Sequence, residues 1–142
     1  MTEAETPVWL QQLKRAIRGN RRDAHNRYVQ FATLGLDGKP RVRMVVFRGF
    51  STCEASFFII TDARSTKVKE LARCPDVEVS WYFTQTREQF RLQCSAVTHS
   101  HGTDADFHRD ALWKGLSDSA KAQFFWAAGG DHGRHQLITS EL

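Results

Sequence analysis

Residues 76–97 carry the pattern that most restricts the fold, because two consecutive stretches alternate between apolar and polar side chains. The apolar members are Val77, Val79, Trp81 and Phe83 in "DVEVSWYF", then Phe90, Leu92 and Cys94 in "QFRLQCSAV". A period of two is typical of a strand with one buried face. The intervening "TQTRE" supplies a turn. The sequence therefore predicts an antiparallel hairpin here.

Three more strands are predicted before this hairpin. "YVQFATLGLDGKPRVRMVVFRGF" contains two β-rich runs, residues 28–34 and 41–48, separated by a turn that includes Gly38 and Pro40. "SFFIIT", residues 56–61, is a compact apolar run of strand length. Five strands joined by close turns predict a small, partly closed β-barrel.

Helical patterns flank and interrupt these strands. Residues 5–19 place their apolar side chains on one stripe, with Pro7 at the first position and Gly19 as the stop. A short helix follows the third strand and ends before Pro75. Residues 103–128 predict two further helices. The 142-residue chain is thus predicted to form one domain, mainly β with peripheral helices, of the α+β class.

Composition narrows the function classes. A hydrophobic content of 41% and a charged content of 25% are those of a globular protein, and no apolar run is long enough to span a membrane. Three cysteines without a CxxC pair predict neither a disulfide scaffold nor a thiolate zinc site, which favours a cytoplasmic location. The histidines lack metal-site spacing, and the scattered basic residues disfavour nucleic-acid binding.

The segment "TDARSTKVKELARCP", residues 61–75, is the strongest candidate for a binding site. A strand that ends at Thr61 and a helix that begins near Ser65 leave the first backbone N–H groups of the helix unpaired, at the positive end of its dipole. Together with the hydroxyls of Ser65 and Thr66 and the ammonium of Lys67, these groups predict a phosphate site. A capped, solvated helix start is the alternative.

Basic residues in and near two strands add to this prediction. "RVRMVVFRGF" places Arg41, Arg43 and Arg48 among apolar residues, and arginine suits bidentate recognition of phosphate. In a regular strand Arg43 and Arg48 point to opposite faces, unless a bulge or the strand end redirects one of them. Gln89 and Arg91 share one face of the last strand. They form either a solvent-facing row or contacts to a heteroaromatic ring.

Three blocks of the sequence together resemble a known superfamily. "RMVVFRGF", "FFIITDARSTKVKELARCP" and "WYFTQTREQFRLQ" are similar, in order and interval, to the FMN-binding split barrels of the pyridoxamine 5′-phosphate oxidase superfamily. The likeness runs from about residue 28 to residue 97. The flanking "PVWLQQLKRAI" and "LWKGLSDSAKAQFFW" resemble the related FMN-binding proteins that are common in cyanobacteria. The resemblance implies a Greek-key-like split β-barrel with FMN as cofactor.

The resemblance also implies residue roles. The family's flavin-binding arginine corresponds to Arg43, a family lysine to Arg48, and the backbone of residues 44–47 lies along the flavin ring. The family's Ser-Arg-Lys phosphate loop corresponds to residues 65–67, its strand-end threonine to Thr61, and its glutamine after the turn to Gln89. With the pattern-based Arg91, the predicted FMN-binding set is Arg43, Met44, Val45, Val46, Arg48, Thr61, Ser65, Thr66, Lys67, Gln89 and Arg91.

Two departures from the family pattern bear on function. Thr66 stands where the oxidases usually carry arginine, which is expected to weaken phosphate binding by something on the order of 1–2 kcal/mol. "DHGRHQLITSEL", residues 131–142, is interpreted as lacking both the additional strand and the Arg-Leu-Pro type segment that hold the pyridoxal substrate in the oxidases. Specific oxidation of pyridoxamine phosphate is therefore not expected.

The function that the resemblance implies is flavin-dependent oxidoreduction, in a homodimer with the flavin at the interface. A non-catalytic flavin-binding or degenerate split-barrel module, acting as a carrier or sensor, is the alternative. A third hypothesis is a barrel for another flavin-like or haem-like cofactor. No catalytic side chain is predicted, and the sequence names neither the small-molecule substrate nor the electron donor.

Overall fold

The computed structural model describes residues 6–50, 56–62, 64–99, 114 and 135–141. These residues form a six-stranded antiparallel sheet in the order β2-β1-β4-β5-β6-β3, with two helices. The elements are α1 (Val8–Gly19), β1 (Tyr28–Leu34), β2 (Pro40–Val46), β3 (Ser56–Asp62), α2 (Thr66–Arg73), β4 (Asp76–Phe83), β5 (Glu88–His99) and β6 (His135–Glu141). No helix in these ranges is long and apolar enough to cross a bilayer.

The two strands at the ends of the sheet order, β2 and β3, are joined by contacts just beyond the end of β2. The Arg48 N–H donates to the Phe58 carbonyl and the Phe58 N–H donates to the Gly49 carbonyl, both at 2.9 Å, and Phe50 forms a β-bridge with Phe57. Gly49 has a φ of +133°, a backbone conformation that L side chains rarely adopt. The sheet therefore curls into a barrel that closes through residues 47–50.

Aromatic side chains fill the barrel. The Trp81 ring centroid lies 4.9 Å from that of Phe47 and 5.2 Å from that of Phe83, and the indole Nε1–H donates to the Asn26 carbonyl at 2.7 Å. The predicted alternation of β4 is confirmed, because Val77, Val79, Trp81 and Phe83 are all buried. Leu13 of α1 is also fully buried in this core.

Most predicted elements are confirmed, and the largest boundary shifts are at the end of β2 and the start of α1. β1 and β4 have the predicted limits, whereas β2 ends at Val46 because residues 48–50 pair with β3 and no longer with β1. Helix α1 begins at Val8 with Pro7 in the cap position, three residues after the predicted start. Of the helices predicted at 103–128, only Lys114 is described, and it is helical; the rest of that prediction lies outside the described residues.

The interpretation that residues 131–142 contain no additional strand is wrong. β6 inserts between β5 and β3, where Ile138 pairs with Ile59 on one side and with Thr98 on the other. Its sequence, "HQLITSE", has too few apolar residues to show the pattern of a buried strand. The strand forms because its backbone finds partners on both edges, and backbone pairing does not depend on a local hydrophobic pattern.

Asn20 connects the end of α1 to the turn between β4 and β5. Its side chain is fully buried, and Nδ2 donates to the Ala16 carbonyl at 2.8 Å and to the Thr86 hydroxyl at 2.9 Å. Its Oδ1 accepts the backbone N–H groups of Gln85 and Thr86, at 2.9 and 3.2 Å. One buried amide thus satisfies groups of both elements.

We expect Asn20→Ala to lower the free energy of unfolding by about 2–3 kcal/mol, because the buried amide is lost and the part-buried N–H groups of Gln85 and Thr86 lose their acceptor. Urea denaturation measures the change. Gln11→Ala is the matched control, since the Gln11 amide makes an exposed hydrogen bond to the Thr6 carbonyl; its effect should stay within about 0.5 kcal/mol. Equal effects of the two substitutions would contradict the assignment.

Candidate functional site

Polar side chains converge where β3 gives way to α2. Ser65 is the N-cap of α2, and its Oγ accepts the backbone N–H of Lys67 at 3.3 Å. This is the usual chemistry of a helix start, in which a serine oxygen satisfies an amide that the helix leaves unpaired. Leu71 anchors the helix by packing in the core, so the cap holds a fixed position beside the buried Thr61 at the end of β3.

The Lys67 ammonium is the most unusual group at this corner. The residue is only 8% exposed, and Nζ donates to the hydroxyl oxygens of Thr61 and Ser65. Within the described ranges, no carboxylate lies within ion-pair distance of Lys67. A buried cation without a paired anion is costly. The corner is therefore a place where an anionic ligand would be favoured.

The pKa of Lys67 is lowered to about 8, chiefly because the ammonium is buried and secondly because the positive charge of Arg43 is near. The carboxylates of Asp62 and Glu70 act in the opposite direction. At neutral pH most molecules still carry the ammonium in its charged form. Lys67 and Arg43 thus bring two cations close enough to repel each other.

Arg43 reaches the same region from β2. Its Nη2 lies 2.7 Å from Oε1 of Glu70, and its Nη1 donates to the Thr33 hydroxyl at 2.7 Å and to the Phe31 carbonyl at 3.2 Å. A guanidinium has five N–H donors. Three of them have acceptors in the described part of the chain, so two can serve a ligand. The Arg43 side chain is 26% exposed, which leaves it accessible.

The backbone amides contribute less than predicted. The Ser65 N–H donates to the Asp62 carbonyl and the Val68 N–H to the Ser65 carbonyl, both at 3.0 Å, and the Lys67 N–H uses the Ser65 hydroxyl. The expectation of an unpaired amide cluster is therefore wrong for these groups, because the turn and the cap satisfy them internally. The corner offers mainly side-chain donors: two cations and the hydroxyls.

The predicted flavin-facing part of β2 lies at one end of the strand order. Between residues 40 and 46, one edge of β2 has no partner strand among the described residues. Met44 is 64% exposed, while Val45 packs against the core and Val46 is half-buried. A flat ring could lie along such a backbone edge.

Arg48 has surroundings different from those of Arg43. Burial lowers the pKa of Arg48, and among its neighbours Tyr28 raises this pKa and Arg27 lowers it. Because β2 ends at Val46, the regular alternation that predicts opposite faces for the two arginines stops before Arg48. Among the described residues, no hydrogen-bond partner is shared by the two arginines.

Gln89 and Arg91 lie together on the outward face of β5, and Thr66 is exposed at the start of α2. The prediction of a shared face for Gln89 and Arg91 is confirmed. The Gln89 Nε2 lies 3.5 Å from the Ser80 hydroxyl. In the described part of the chain, no hydrogen bond or ion pair joins Gln89 or Arg91 to Lys67.

Sequence reasoning misses two residues of the corner, Glu70 and Thr33. Glu70, only 2% exposed, accepts from Arg43 and from the Thr33 hydroxyl, yet a glutamate in "KVKELAR" suggests a solvated helix face. The signal that could reveal it is spacing. Lys67, Glu70 and Leu71 lie at i, i+3 and i+4, so they share the one helix face that is buried.

The protein is an antiparallel β-barrel in which Lys67 and Arg43 place two cations at the junction of β3 and α2. A barrel with such a junction suits a phosphorylated ligand. Residues 6–100 match the family described as "Pyridoxamine 5'-phosphate oxidase, FMN-binding domain", and the chain belongs to this family. The predicted family, the split-barrel fold and the FMN cofactor are thereby confirmed. The donor set of the corner, two cations with hydroxyls, fits a phosphate ester such as that of FMN.

Two curated relatives match part of the chain. Pyridoxine/pyridoxamine 5′-phosphate oxidase 2 of Arabidopsis thaliana is 50% identical over 84 residues, which are 59% of this chain and 42% of that protein. Pyridoxine/pyridoxamine 5′-phosphate oxidase of Microcystis aeruginosa is 29% identical over 86 residues, 61% of this chain and 38% of that protein. The chain thus spans about two-fifths of the length of these relatives.

Solved structures extend the likeness to the whole fold. A pyridoxamine 5′-phosphate oxidase-related, FMN-binding protein of Nostoc punctiforme has a TM-score of 0.86 and 30% identity, covering 96% of this chain and 81% of its own. PhzG of Burkholderia lata has a TM-score of 0.76 and 18% identity, covering 97% of this chain and 78% of its own. The second comparison supports the fold alone.

Proposed function

We propose that this chain is a flavin-dependent oxidoreductase whose strand-to-helix corner binds the FMN phosphate. The buried Lys67 ammonium carries the proposal, because its bonds are to the hydroxyls of Thr61 and Ser65 and a second cation, Arg43, lies near. A phosphate between these groups would offset the cost of burying the charge and the repulsion between the two cations. The exposed hydroxyl of Thr66 is a further donor at the rim.

Other predicted residues fit the rest of the cofactor. The backbone of residues 44–46 supplies a flat strand edge for the isoalloxazine ring, and Arg48 lies just beyond it, partly buried. Bound FMN supplies the electron-transfer chemistry, so the protein needs no nucleophilic side chain. The work of this chain is to hold the phosphate, fix the ring and limit the access of water.

The outward face of the sheet supports a second part of the proposal, a homodimer. Val42, Met44 and Tyr82 are 67%, 64% and 54% exposed, an apolar patch of the kind that marks interaction sites. Met44 and Arg91 lie on one cross-strand row through Gln30 and Ser80. We infer that two copies pack through this face, with Gln89 and Arg91 of each copy beside the flavin of the other.

A charge on this face should separate the copies. We expect Val42→Glu to convert a dimer to a monomer in sedimentation equilibrium, because two carboxylates would be buried without partners. Val8→Glu is the matched control, since Val8 is 68% exposed but lies on α1 and not on a strand that carries the apolar patch. A wild-type chain that is monomeric at all concentrations would refute the dimer.

The function itself is tested with the purified full chain. FMN and riboflavin, which lacks the phosphate, are titrated and flavin fluorescence is followed; we expect FMN to bind at least about tenfold more tightly. The FMN-loaded protein is then assayed for steady turnover with pyridoxamine 5′-phosphate under oxygen and with a reduced nicotinamide. Tight FMN binding without turnover supports the non-catalytic module, and equal affinity for the two flavins would rule out the phosphate corner.

A further inference from the structure

We propose that Glu70 is a positioning residue of the flavin site, which holds the Arg43 guanidinium so that its remaining donors are directed to the cofactor phosphate. The inference rests on the proposed function above and assigns to this site a residue outside the predicted FMN-binding set. It is carried by the contacts of Glu70, by its burial and by the charge it places beside an anion site.

The contacts form a closed triangle. Oε1 of Glu70 accepts the Thr33 hydroxyl at 3.0 Å and Nη2 of Arg43 at 2.7 Å. The Thr33 oxygen in turn accepts Nη1 of Arg43 at 2.7 Å. Each of the three side chains therefore contacts the other two, and both Glu70 and Thr33 are buried. Rotation of the guanidinium about its own stem would break two of these bonds at once.

Such a triangle matters because a free arginine is a poor ligand. Its long side chain samples many rotamers, and binding must meet the entropic cost of ordering it. Glu70, Thr33 and the Phe31 carbonyl occupy three donors in advance, which leaves two donors of a side chain that is 26% exposed without an acceptor among the described residues. Arg43 is thus ordered before the ligand arrives, which is preorganisation in the sense used for binding sites.

Because Glu70 carries a negative charge, experiment can distinguish its two possible roles: to position Arg43 or only to neutralise the nearby cations. A carboxylate near an anion site repels the ligand, so its removal should tighten phosphate binding if counter-charge were its only effect. If Glu70 instead orders Arg43, its removal should weaken binding although it removes a repulsive charge. The direction of the change in FMN affinity therefore decides between the two roles.

Glu70 also acts on the second cation of the site. The charged groups that face Lys67 are Arg43 from β2, Asp62 from β3 and Glu70 from its own helix. Glu70 raises the pKa of Lys67, so it helps to keep the ammonium protonated. Replacing the carboxylate should make FMN affinity decline from a lower pH than in the wild type, which a purely structural role of Glu70 would not predict.

The test measures FMN and riboflavin dissociation constants for wild type, Glu70→Gln and Thr33→Val, each with its pH profile. We expect Glu70→Gln to weaken FMN binding about 3- to 10-fold and to leave riboflavin affinity within about twofold of the wild type. Thr33→Val should weaken FMN binding about threefold without any change of charge. If Glu70→Gln folds poorly, Thr33→Val alone tests the triangle. Asp37→Asn is the matched control, because Asp37 forms an exposed ion pair with Arg41 at 2.8 Å.

Repeating the Glu70 substitution in the Arg43→Met variant shows whether Glu70 acts through Arg43. In an Arg43→Met chain, Glu70→Gln should leave FMN affinity unchanged or raise it. The proposal is overturned if Glu70→Gln alone binds FMN as tightly as wild type or more tightly, or if the affinities for FMN and riboflavin fall together. If the wild type does not prefer FMN to riboflavin, the proposed phosphate site itself is refuted. If the wild type prefers FMN and Glu70→Gln keeps that preference in full, only the role of Glu70 is refuted.

Discussion

Arg43→Ala is expected to lower the free energy of unfolding by about 3 kcal/mol and to remove most of the preference for FMN over riboflavin. The loss of stability follows from Glu70, which is 2% exposed and, among the described residues, keeps only the Thr33 hydroxyl once the guanidinium is gone. A buried carboxylate without its cation costs more than the intact pair contributes, because the desolvation remains and the attraction is lost. The loss of preference follows from the missing phosphate donors.

Chemical denaturation of the flavin-free protein at pH 7 measures the first effect. Arg41→Ala is the matched control on the same strand, because the ion pair between Arg41 and Asp37 has side chains 47% and 48% exposed and should contribute less than about 1 kcal/mol. The double variant Arg43→Met with Glu70→Leu removes both charges and should regain most of the stability without regaining FMN affinity. If Arg43→Ala is as stable as Arg41→Ala, the buried pair has no structural role.

The strands could be predicted wherever one face is buried, because burial imposes a period of two on the sequence. β1 and β4 have their predicted limits for this reason. The end of β2 could not be predicted, since "VVFRGF" continues as an apolar run while the backbone changes partners from β1 to β3. β6 could not be predicted either, because its place depends on pairing with two distant strands.

The same distinction applies to the candidate site. Ser65 and Lys67 are visible in the sequence because capping and charge at a helix start are local features. Thr33 and Glu70 lie 37 residues apart in the chain, and the packing of α2 against β1 brings them together and within reach of Arg43. Helical spacing with Leu71 can indicate that Glu70 is buried, but a single sequence does not display its partners Arg43 and Thr33.

Lys67→Met is expected to raise the FMN dissociation constant about 10- to 150-fold, which corresponds to the loss of about 1.5–3 kcal/mol for a charge-assisted contact. Methionine keeps most of the volume and removes the charge. The flavin-free variant should be at least as stable as the wild type. A pKa lowered from 10.5 to about 8, chiefly by burial and secondly by the positive charge of Arg43, means that the folded protein holds the charged ammonium less favourably than the unfolded chain does, by about 3 kcal/mol at neutral pH.

The pH dependence has a definite sign. In the flavin-free protein the pKa of Lys67 is lower folded than unfolded, so the unfolded chain holds the proton more tightly. Stability of the flavin-free wild type should therefore rise between pH 8 and 10.5, while FMN affinity should fall above pH 8, because only the ammonium attracts phosphate. Lys67→Met should lose both of these trends.

Fluorescence titration and urea denaturation between pH 6.5 and about 9.5 test these expectations together. Lys69→Met is the matched control, because Lys69 is an exposed residue of the same helix and should leave both profiles unchanged. An FMN affinity that Lys67→Met leaves intact would remove the phosphate from this corner. A variant that loses affinity while it gains stability would show that the wild-type fold retains a buried charge at the expense of stability for the sake of binding an anion.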